Sequence, residues 1–76
     1  MQPPGTSMRV LAHIQKTTNV PLEELYGNPE VMNFVQNASG HRGMTIIVNG
    51  WTFISAEGSG RLLYHDGSQP AKPFPD

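Results

Sequence analysis

Thr45-Ile46-Ile47-Val48-Asn49-Gly50-Trp51-Thr52-Phe53-Ile54 is the stretch that decides the fold. β-branched and aromatic residues fill both halves, and Asn-Gly sits between them. That dipeptide supplies the two positive φ angles of a type I′ turn, so the stretch reads as a β-hairpin with a two-residue loop. The loop length sets the register. Val48 faces Trp51, Ile47 faces Thr52, Ile46 faces Phe53 and Thr45 faces Ile54. Further on, Glu57-Gly58-Ser59-Gly60 reads as a second turn leading into Arg61-Leu62-Leu63-Tyr64-His65. If this turn closes on Gly58-Ser59, Phe53 lies opposite Tyr64, Ile54 opposite Leu63 and Thr52 opposite His65. A three-stranded antiparallel meander is expected.

Upstream, the apolar period changes from two to 3.6. Asn28-Pro29-Glu30 starts a helix, with Asn as N-cap, Pro at the first helical position and Glu near the positive end of the dipole. Val31, Phe34, Val35 and Ala38 follow as one apolar stripe, and Gly40 stops it. A shorter helix starts near Pro21, covers Leu22-Glu23-Glu24-Leu25-Tyr26 and ends at Gly27. Residues 8–15 fit two patterns. Met8, Val10, Ala12 and Ile14 alternate as in a strand, whereas Val10, Leu11 and Ile14 form a helical stripe that Thr6 or Ser7 would cap. Their helix-forming composition favours the helix. The expected fold is α+β: two or three short N-terminal helices, then the three-stranded meander. Residues 1–7 read as a disordered lead-in, 8–66 as a single domain, and 67–76, with Pro70, Pro73 and Pro75, as a Pro-rich extended tail.

Alternation sorts the strand residues between two faces. Met44, Ile46, Val48, Trp51, Phe53, Leu62 and Tyr64 share one face, which the Val31/Phe34/Val35 stripe can cover. Thr45, Ile47, Thr52, Ile54, Leu63 and His65 share the other. Burying a large aliphatic side chain is worth roughly 1.5–3 kcal/mol, so three of them on a second face call for cover. Either the N-terminal helix lies over them through Val10, Leu11 and Ile14, or a partner or second copy does. The edge from Thr45 to Val48 carries no Lys, Glu or Pro to discourage strand pairing.

Composition narrows the chemistry. The 76 residues include no Cys, which removes disulfides, Cys-ligated zinc and thiol chemistry. Five Lys/Arg against six Asp/Glu leave a net charge of −1, without the basic footprint of a nucleic-acid or anionic-membrane binder. No apolar run approaches a membrane span of roughly 20 residues, and no signal-peptide pattern is present; a cytoplasmic protein is expected. His13, His41 and His65 lack partners at metal-ligand spacing, so no metal and no cofactor are expected. Glu23, Glu24 and Glu30 sit where helix dipoles favour them, and Ser55, Ser59 and Ser68 lack a nucleophile elbow. No catalytic residue is assigned, and the chain is expected not to be an enzyme.

Residues Thr17-Thr18-Asn19-Val20-Pro21-Leu22-Glu23-Glu24-Leu25-Tyr26-Gly27 resemble the end of a Cro/repressor-type helix-turn-helix, although the recognition helix and the Gly turn before it have no counterpart. The order of elements also allows a winged-helix arrangement, a DNA-binding transcriptional regulator in which Asn33, Gln36, Asn37 and Ser39 would meet bases. That third helix carries no Lys or Arg before Arg42, and phosphate neutralisation supplies most DNA affinity. The favoured expectation is therefore a small regulatory, inhibitory or adaptor module that binds another protein, or itself as a homodimer. Its surface would comprise Thr45, Ile47, Thr52, Ile54, Leu63 and His65.

Overall fold

The computed structural model describes residues 5–37, 43–56, 61–68 and 70–74. Three helices, α1 (Gly5–Thr18), α2 (Leu22–Tyr26) and α3 (Pro29–Asn37), precede four strands, β1 (Met44–Val48), β2 (Trp51–Ser55), β3 (Leu62–His65) and β4 (Lys72–Pro73). The strands form one antiparallel sheet in the order β1-β2-β3-β4.

Each helix ends for a local reason. The ambiguous N-terminal segment is helical, and Val10, Leu11, Ile14 and Thr18 are buried along one side of it. At its C-terminus the Thr18 hydroxyl donates to the Ile14 carbonyl at 2.7 Å. Asn19 then takes the left-handed conformation (φ 59°), and its N–H reaches the Gln15 carbonyl at 2.8 Å. The Asn28 side chain caps α3 as expected, accepting from the Glu30 and Val31 N–H groups at 3.0 and 3.4 Å. Val31, Phe34 and Val35 of that helix are buried.

Both predicted strand registers are observed, from Val48 opposite Trp51 to Thr45 opposite Ile54, and from Thr52 opposite His65 to Ile54 opposite Leu63. Asn49 (φ 50°) and Gly50 (φ 84°) make the turn between the first two strands. The Asn49 amide also donates to the Thr18 carbonyl at 2.9 Å, which pins the hairpin tip to the end of α1. The second turn, Glu57 to Gly60, lies outside the described residues; the Ala56 N–H to Arg61 carbonyl bond at 2.8 Å closes the ladder just before it.

Two expectations need correction, and one open alternative is decided. First, α1 begins at Gly5, so residues 5–7 belong to the helix instead of a lead-in. Second, the Pro-rich segment is more than a tail: Lys72 pairs with Tyr64 and Pro73 with Leu63, making the meander four-stranded. Its anchor is Phe74, half-buried against the core.

The alternative concerned the second face of the sheet, and α1 does not cover it. Val10, Leu11 and Ile14 join Leu25, Val31, Phe34, Val35, Ile46, Val48 and Phe53 in a single core on the Trp51/Phe53 face. Chain connectivity explains this. Only residues 19–21 link α1 to α2, and 27–28 link α2 to α3. Three residues reach about 10 Å, too little to pass from one side of a sheet to the other when packed layers lie about 10 Å from it. All three helices are therefore confined to one layer.

Candidate functional site

The outer face follows from the register. Thr45, Ile54, Leu63 and Pro73 form one row across all four strands, and Ile47, Thr52 and His65 form a second row across three. Sequence alternation thus brought the six expected residues to one face, with Pro73 as an addition that only the pairing of β4 reveals. Thr45 is exposed, and Thr52, Ile54, Leu63 and His65 are half-buried. Ile47 is 71% exposed, the most exposed large hydrophobic residue among those described. No described helix lies over this face.

The two sheet edges differ. In a hairpin with a two-residue loop, the residues flanking the loop exchange both backbone hydrogen bonds, and such pairs alternate along the ladder. Val48 and Trp51 are one bonded pair, so Ile46 with Phe53 is the next. The N–H and C=O groups of Thr45 and Ile47 consequently point away from β2, toward the free edge. The same counting applies to β4. The Phe74 N–H donates to the Leu62 carbonyl at 2.9 Å, so Pro73 occupies the position whose N–H would point outward. Proline has none, and Lys72 stands beside it, so that edge offers a poor template for another strand. Among the described residues no strand pairs with the outer side of β1, and this edge carries its most exposed aliphatic residue among its outward-facing backbone groups.

His65 closes one end of the face. Its Nδ1 accepts the Gly67 N–H at 3.0 Å, which places the proton of the neutral ring on Nε2. The neighbouring Asp66 accepts from the Ser68 N–H at 3.0 Å and hydroxyl at 2.8 Å, and these bonds hold its carboxyl below the usual carboxylate range. Together they brace the bend leading to β4, where Gly67 has φ 91°.

The remaining polar groups do not converge. Among the described residues, no group of three or more His, Asp and Glu side chains could hold a metal ion. His13 is 4.5 Å from both the Tyr64 and Phe74 ring centres and 6.4 Å from that of Phe53. Burial, followed by the nearby Lys16 charge, pulls its pKa below the ordinary imidazole value. This aromatic cluster was missed from sequence; a lone Phe among prolines was its only signal. Ser55 is fully buried, and its hydroxyl has no hydrogen-bond partner.

On α3, Asn33 and Gln36 are exposed, while the Asn37 amide is bonded to the Asn33 carbonyl at 2.8 Å; Ser39, Arg42 and His41 lie outside the described residues. Among the described residues, no helix is long and apolar enough to cross a membrane. No family model, no curated protein and no solved structure matches this chain.

Proposed function

We propose that this chain is a non-enzymatic protein-binding module that acts by occupying a partner surface, and that its first partner is a second copy of itself. One observation carries the reading: Ile47 is 71% exposed on a strand whose outward backbone groups are unpaired in the sheet, while Pro73 closes the opposite edge. Two antiparallel β1 strands, brought together about a twofold axis, would satisfy the outward N–H and C=O groups of Thr45 and Ile47 on both copies. The pairing would merge two four-stranded sheets into one of eight. Its outer face would then run uninterrupted through Ile47, Ile54 and Leu63 of both copies.

Such a surface acts by occupancy and needs no bond-making group. The sparse, dispersed ionisable residues and the net charge of −1 agree with an apolar partner surface. Sedimentation velocity over a wide concentration range tests the proposal, with Ile47→Lys as the accompanying variant. Self-association that Ile47→Lys weakens, with the circular-dichroism spectrum unchanged, is the expected result. A wild-type chain that stays monomeric throughout removes the self-pairing.

A further inference from the structure

The C-terminal segment is seated the way a bound peptide would be. Residues 70–73 are exposed, and β4 contributes only Lys72 and Pro73 to the sheet. What holds the segment is strand addition along β3, including the Phe74 N–H bond to the Leu62 carbonyl, together with one inserted ring. The Phe74 ring centre lies 4.5 Å from His13, 5.6 Å from Tyr64 and 5.9 Å from Phe53. A short extended segment with one anchoring side chain is the arrangement by which sheet edges recognise linear peptides. The walls of the seat belong to α1, β2 and β3, and β3 is already paired to β2 along its other side. The groove therefore does not need β4 to exist.

We infer that the groove between His13 of α1 and the outer edge of β3 is a docking site for an extended Lys-Pro-Phe segment, filled by this chain's own Lys72-Pro73-Phe74 and able to take the same segment from a second copy. A second copy carries the identical segment, so exchange keeps every backbone bond and ring contact and changes only the path of the connection. Prolines at 70 and 73 hold the segment extended before it docks, which reduces the entropy lost on binding. The tethered segment competes at an effective concentration in the millimolar range. Weakening its anchor should thus raise the apparent affinity for a segment supplied in trans.

The test uses the full chain and a fluorescein-labelled peptide of residues 68–76, followed by fluorescence anisotropy. The wild-type chain should bind the peptide weakly, and a Phe74→Ala chain should bind it at least about tenfold more tightly. A peptide carrying Phe74→Ala should not bind. Ile47→Lys, on the opposite side of the sheet, should leave the titration unchanged. The inference is overturned if the Phe74→Ala chain binds no more tightly than wild type, or if the two peptides bind alike. It is equally overturned if Phe74→Ala unfolds the chain, because the segment would then be part of the cooperative core and not an exchangeable occupant.

Discussion

Replacing Ile47 by Lys should separate association from folding. The residue is 71% exposed, so folding has covered less than a third of its side chain. Fully burying an isoleucine contributes roughly 1.5–3 kcal/mol, so covering the remaining surface would contribute about 1–2 kcal/mol per copy. A twofold dimer contains the residue twice, and a combined loss of at most about 2–4 kcal/mol weakens dimerisation by up to roughly 30- to 900-fold. The lysine charge adds to this by opposing burial at an edge. The folded monomer should lose at most about 1 kcal/mol, the span of strand propensity in a host protein. Sedimentation velocity gives the first quantity and urea denaturation the second. If Ile47→Lys associates as strongly as wild type, the β1 edge is not the contact. If it instead unfolds the chain, the solvent-facing placement of Ile47 is wrong.

Three further outcomes follow from the geometry. His13 has a pKa below its unfolded value of about 6.5, so the unfolded state takes up a proton first and stability falls as pH drops below that value. Thermal midpoints between pH 7.5 and 5.5 should therefore decline less steeply for His13→Gln than for wild type; parallel slopes would contradict the assignment. Asn49→Gly keeps the turn but loses the bond to Thr18, a cost of about 0.5–1.5 kcal/mol. Asn49→Ala should cost a further 1 kcal/mol or so in urea titrations because its φ is 50°, and equal costs would refute that division. Ser55→Ala removes a buried hydroxyl without a partner, and urea titration should find it neutral or stabilising by up to about 2 kcal/mol; a clear destabilisation would mean that the hydroxyl is bonded.

Local chemistry made most of the fold legible. Asn49-Gly50 determined the hairpin and, through it, the side of the sheet on which every residue from Thr45 to Ile54 lies, because a two-residue turn permits one register. Asn28 and the Val31/Phe34/Val35 stripe likewise determined where α3 begins and which side it buries. Those signals act within a few residues and can be read along the chain. The destination of the α1 stripe was different. Val10, Leu11 and Ile14 suit either face of an amphipathic sheet, and only the short α1–α2 and α2–α3 connections place all three helices together, leaving Ile47, Ile54 and Leu63 without a helical cover. The role of the C-terminal segment was equally hidden. Lys72-Pro73-Phe74 has no strand signal of its own, since its pairing comes from the vacant edge of β3 and its anchor from rings on α1, β2 and β3. Which edge stays open is thus a property of the tertiary structure: Pro73 blunts one side only once it is docked there, and among the described residues no strand pairs with the outer side of β1.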